Sequence, residues 1–217
     1  TDGKHHFTAE NVTNYAPVSI NGHGATIYLG GVLGRASQAT LTNICNYGAV
    51  SLVAKSDSMT NVLMGGVEAV GIGDGDAGLM TNCHNYGTVT ANIESQAIKQ
   101  LLYAGFSAYC HHECDGCSNA KEATVTISGT VKATAKGLLE DTTTDASYCI
   151  GGFAGYKAST AMYNSVNYAD VYVDLTWSSD TGDATKLPAT GVTASSHGAP
   201  IVSIAGLNGR SNGYVRD

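Results

Sequence analysis

Charge is scarce in this chain. Asp, Glu, Lys and Arg make up only 13% of the 217 residues, about half the usual share. The 11 basic residues are scattered singly among 18 acidic ones, for a net charge of −7. With no basic stripe, neither nucleic-acid binding nor electrostatic attachment to anionic lipid is expected. No run of about 18 apolar residues occurs, so no helix of membrane-spanning length is predicted. Only 3 prolines and 1 tryptophan are present, and no Pro-rich or charge-rich linker divides the chain. No signal peptide is visible in the sequence. The chain starts Thr1-Asp2-Gly3 without Met, and a processed or excised piece is the expectation.

What the chain has in quantity is Gly (27), Tyr (12), Asn, Ser and Thr, with 43% apolar residues. That composition suits a β-rich secreted or surface protein better than a helical cytosolic enzyme. The residues recur in two alternating blocks. One is Asn-x-x-Asn-Tyr-Gly-x-Val, as Asn43 to Val50 and Asn82 to Val89, with looser copies at Asn11 to Val18 and Asn164 to Val171. Its tyrosines, Tyr15, Tyr47, Tyr86 and Tyr168, are 32, 39 and 82 residues apart. The last gap is two periods, with a degraded copy expected at Thr124 to Val131, Gly129 and Val131 in register. The other block is small-Gly-apolar after an apolar pair, at Gly30-Gly31-Val32, Gly65-Gly66-Val67, Ala104-Gly105-Phe106, Gly151-Gly152-Phe153 and Ala205-Gly206-Leu207.

A period of this size marks a stacked-repeat architecture. Three short strands per repeat are predicted, and hence an all-β fold: a parallel β-helix, or β-solenoid, of about five rungs in one domain over 1–217. Rungs about 4.8 Å apart place Asn14, Asn46, Asn85 and Asn167 in one column and the four tyrosines in another, where amides and rings reinforce the stack. Gly48 and Gly87 are expected at a corner of positive φ. Five rungs account for a rod of only about 24 Å, so long loops are expected after residues 70, 108, 138 and 177.

The alternating blocks, from Asn11 to Gly209, resemble the GLUG-type and related Gly-rich repeats of bacterial, Bacteroidales-like, surface proteins and adhesins. The resemblance implies a right-handed parallel β-helix or similar solenoid, exported to the cell surface, with no shared catalytic residues. The ends are open half repeats. The chain begins with the Asn-Tyr block and finishes with the Gly-Gly block, and tail joined to head reads as one complete repeat. A fragment of a longer chain and a subunit stacking on itself head to tail are the two leading expectations, with a capped monomer as a third.

Cys110-His111-His112-Glu113-Cys114-Asp115-Gly116-Cys117 is the one dense cluster of ligand types. On an extracellular chain it predicts disulfides that tie down an insertion, with Cys149 reaching it from the next rung. A zinc site is the second reading for Cys114-x-x-Cys117, weakened by the lack of a second Cys or His pair, and free thiols are the third. Cys45 and Cys83 differ by one place in register and are expected as thiols. Gly71 to Asp76 resembles calcium-binding Gly/Asp loops without their tandem repeat. No cofactor is expected.

Asp170 and Asp174 share a strand face but lie about 13 Å apart, too far for a glycosidase pair. Tyr172 and Trp177 are candidate ligand-facing aromatics. A structural or adhesive stalk is therefore the expected function. The alternative is a module that binds host glycan or protein through its loops, and a polysaccharide-active enzyme is the third reading.

Overall fold

The computed structural model describes residues 7–73, 78–133, 148–158, 160–179, 202–211 and 215–216. Every regular element among them is a β-strand, and every pairing is parallel to the strand one turn away. The fold is a parallel β-helix, as the repeat predicts. The prediction of three strands per turn is corrected to five. The second rung runs through Ala39–Thr42, Cys45–Asn46, Val50–Ser56, Asn61–Gly65 and Glu68–Ile72. We call the sheets built on these strands sheets one to five. Sheets two to five have five strands each, and sheet one has a sixth, Val215–Arg216. The described chain thus opens and closes on the same face, after five turns.

Alternation explains the core. In sheet three Val50, Leu52 and Ala54 point inward, with Val89, Ala91 and Ile93 directly above. They meet Val62, Met64, Leu101 and Tyr103 of sheet four across one compartment. A second compartment lies under sheets one and five, around Leu41, Ile44, Met80, Phe106 and Phe153. Phe106 and Phe153 stack there at 4.5 Å.

The corner that precedes sheet two falls on the first Asn of the block. Asn11, Asn43, Asn82 and Asn164 all have left-handed φ, between 46° and 56°, which Asn tolerates better than other side chains do. Gly48 and Gly87 do not have positive φ, which corrects that expectation. They are Gly because the backbone of the rung below approaches too closely: a Cβ on Gly48 would collide with the carbonyl of Ala16, and one on Gly87 with that of Gly48.

The loop expected after residue 108 does not exist. Ser107–Cys110, His112–Asp115 and Ser118–Asn119 are ordinary strands of rungs three and four. Most of the loops expected after residues 138 and 177 lies outside the described residues, as do Asp74 and Asp76 of the calcium-loop candidate.

Candidate functional site

The two sequence blocks are two sides of one contact. The second Asn of each block points into the molecule, and its amide lies against the second Gly of the Gly-Gly block. A Cβ on Gly31 would sit 2.5 Å from Cγ of Asn46. Gly66, Gly105 and Gly152 would collide in the same way with Asn85, Asn119 and Asn167, and each also with the carbonyl of the rung above. Only hydrogen fits there, which is why small-Gly recurs at this position.

The amides form an unbroken column. Asn14 Nδ2 donates to Asn46 Oδ1 at 2.9 Å, Asn46 to Asn85 at 2.9 Å, Asn85 to Asn119 at 2.8 Å and Asn119 to Asn167 at 2.9 Å. Each NH₂ also donates into its own corner, as Asn46 does to Gly48 O and Asn85 to Gly87 O, both at 2.8 Å. Asn46, Asn85 and Asn119 are fully buried, and a buried amide needs such partners.

Asn119 escaped the sequence reading. The degraded copy is not at Thr124 to Val131. Val125, not Val131, pairs with Val89, and Asn119 pairs with Asn85. Gly116, at φ 64°, replaces the first Asn at the corner, and the extra pair Lys121-Glu122 lengthens the turn. The signal was there as Gly-x-x-Asn, since Gly and Asn share the same left-handed tolerance.

The tyrosine column is shorter than expected. Tyr15 stacks on Tyr47 at 5.2 Å and Tyr47 on Tyr86 at 4.5 Å. Ala120 follows Asn119 where rung four would carry a ring, so Tyr168 stands two rungs above Tyr86 and outside the stack. The rings lie outside, and Tyr168 is 65% exposed. A second, exterior ladder joins the corner asparagines: Asn43 to Asn11 at 2.9 Å and Asn82 to Asn43 at 2.7 Å.

The cysteine cluster is part of the core. Cys83, Cys110, Cys114 and Cys117 are all buried in the second compartment, and all six cysteines are thiols in this structure. Cys110 and Cys114 Sγ lie 3.5 Å apart. Cys149 belongs to a separate cluster with Leu63, Leu102 and Tyr156 and is not brought to the other three. Cys45 pairs with His84, so Cys83 is offset by one position as the register predicts.

The same compartment holds a buried polar group that sequence reasoning missed. Gly71 and Gly78 of rungs two and three leave room that the His112 ring fills. His112 Nδ1 lies 3.3 Å from Glu68 Oε2, both side chains fully buried, and Ser107 Oγ donates to the same oxygen at 3.3 Å. Burial pushes the imidazole pKa down, but the Glu68 carboxylate and the Cys110 thiol override it and hold it up at about 10. Lys157 Nζ, also buried, donates to His112 O at 2.7 Å and to the Thr160 hydroxyl. Burial and neighbouring thiols keep Cys110, Cys114 and Cys117 well above the ordinary thiol pKa. In the folded chain they pack as neutral thiols, like small apolar side chains. Among the described residues, no three His, Cys, Asp or Glu side chains are arranged to hold a metal.

Tyr172 is exposed, its hydroxyl 3.2 Å from Asp170 Oδ2. Trp177 is described only through its backbone, which pairs with Val131.

Val18 and Ile20 occupy the columns of Val50 and Leu52 but are only partly buried, and so are Val171, Val173 and Leu175 at the other end. No family model, curated protein or solved structure matches the chain.

Proposed function

We propose that this chain is a segment of an extracellular β-solenoid rod, a unit of a surface fibre or adhesin stalk. Its end rungs are completed by further rungs, supplied either by flanking repeats of a longer polypeptide or by a second copy stacked head to tail. The observation that carries this is the contrast along one column. Ile20 is partly buried where Leu52, one rung in, is 1% exposed. An end rung has one neighbour where an inner rung has two, and stacking is what buries such a surface.

The amide column points the same way. Asn167 Nδ2 donates to Ala169 O at 2.8 Å, and on inner asparagines the second N–H of this group serves the next rung. A junction adds several backbone hydrogen bonds at about 1 kcal/mol each. It also covers apolar area at about 25 cal/mol per Å², against an association cost of about 4–15 kcal/mol. The low charge and the Gly-rich repeats support an exported, structural role without catalysis.

Sedimentation velocity at rising concentration, with negative-stain imaging, tests the stacking of copies. End-to-end rods are expected, and Ile20→Lys with Val173→Lys should leave monomers. Should the chain stay monomeric, a tandem fusion with the rungs in register tests the longer-chain form. A fusion with the same urea midpoint as the single unit would remove the rod reading altogether.

A further inference from the structure

Sheets four and five meet at the Gly-Gly corner, and their outer faces enclose a groove of about 200 Å³ running across rungs one to three. Leu63 and Val70 give it an apolar floor. Tyr28 is exposed on one wall and Tyr109 half-buried on the other. Arg35 and Gln100 add a cation and an amide. The Arg35 column continues through Val70, Tyr109 and Tyr156 to Arg210. Tyr156 packs edge-on to Tyr109 at 5.4 Å, and the Arg210 guanidinium lies 5.3 Å above the Tyr156 ring.

The described strands of these two sheets carry one carboxylate, Glu68, and it is fully buried against His112 and Ser107. On a chain of net charge −7, Arg35 is the one charged side chain among the described residues that line the groove, alongside Tyr28 and Tyr109.

We propose that this groove binds an acidic oligosaccharide lying along the stack, with sugar faces on Tyr28 and Tyr109 and a carboxylate or sulfate on Arg35. Flat rings with polar tips suit sugar faces that are apolar and hydroxyls that are not. A guanidinium pairs with carboxylate or sulfate through two parallel N–H bonds. A peptide is the poorer fit. An extended peptide gains affinity by pairing with an open strand edge, and the inner strands of sheets four and five already pair with neighbours on both sides. The groove is lateral and uses neither end face, so its test stands apart from that of the rod.

Calorimetric titration of the chain with size-defined oligouronates, heparin-derived sulfated oligosaccharides, neutral malto-oligosaccharides and poly-glutamate decides the matter. Binding of the uronate or the sulfated series is expected to weaken with salt, and the two arms separate carboxylate from sulfate. Arg35→Ala and Tyr109→Ala should each lower affinity about tenfold, with circular dichroism unchanged. Arg35→Lys should retain part of the affinity, and Lys55→Ala, on sheet three, all of it. Neutral sugars or poly-glutamate binding as tightly, no binding at millimolar ligand, or an Arg35→Ala chain that binds normally would overturn the assignment.

Discussion

Replacing Asn85 by Ala tests whether the amide column holds the rungs together. Asn85 is fully buried. It accepts from Asn46 at 2.9 Å and donates to Gly87 O and Asn119 Oδ1, both at 2.8 Å. Removing it orphans an N–H of Asn46, the Gly87 carbonyl and the Asn119 oxygen, all in buried residues. At about 1–2 kcal/mol for each buried group left unpaired, the loss is about 3–6 kcal/mol, a large share of a typical domain's stability. Asn14 makes a comparable set of bonds, to Ala16 and Asn46, but is only half-buried. Water replaces what Asn14→Ala removes, so that variant should lose about 1 kcal/mol or less. Urea unfolding followed by far-ultraviolet circular dichroism gives both values from midpoint and slope. If Asn85→Ala lies within about 1 kcal/mol of the parent, or costs no more than Asn14→Ala, the column is decoration and the backbone ladders alone hold the stack.

Four further outcomes are expected. Gly66→Ala should be as damaging as Asn85→Ala, and Asn85→Ala should not rescue it, because the added Cβ collides with the Gly105 carbonyl as well as with the amide; urea midpoints of the two single variants and the double variant check this. Tyr47→Ala, which removes a ring stacked on both sides, should cost about 1–2 kcal/mol by the same assay. Thiol titration of the native chain should find Cys45 reacting first, since the other five are buried, and urea with reductant should release all six. The Glu68–His112 pair sets a pH dependence. His112 is charged in both states below pH 6.5, where its contribution is complete. As pH rises toward about 10 the unfolded chain gives up the proton that the folded chain keeps, so stability falls across that window and the contribution is gone above it. Urea midpoints between pH 6 and 10 should decline more steeply in the parent than in Glu68→Gln, whose remaining slope comes from the buried thiols and their contact with His112.

What the sequence displayed well was whatever one contact forces in every rung. Gly31, Gly66, Gly105 and Gly152 each face both an amide and a carbonyl of the next rung, so they repeat. What it displayed poorly was whatever occurs once or is very short. Cys45–Asn46 and His84–Asn85 are two-residue strands, too brief to show an alternation, and so five strands per turn read as three. The Cys110 to Cys117 stretch looked like an insertion because its ligand-type residues stand out. In fact Cys114 fills the inward position that Leu41 and Met80 fill in the rungs below, Cys117 that of Ile44 and Cys83, and Cys110 that of Ala36, all in the same compartment. Glu68, His112 and Lys157 are spread over 90 positions of the chain, and only the stacking of rungs two to four brings them together.

Rung four separates the two columns that seemed equivalent in sequence. There the ring is gone, replaced by Ala120, and two residues are added beside it, yet Asn119 keeps its donor to Asn167 at 2.9 Å and its acceptor from Asn85 at 2.8 Å. The turn was lengthened and the amide shifted its local bond from the second following residue to Ala123, four residues on, at 3.3 Å. An exterior ring lost at Ala120 costs one stacking contact on each side. An interior amide lost at Asn119 would leave one N–H of buried Asn85 and the buried Ala123 carbonyl unpaired, and would take a donor from half-buried Asn167. The difference follows from where each column sits, so tyrosine marks the repeat to the eye while asparagine, backed by glycine, fixes the register of the stack.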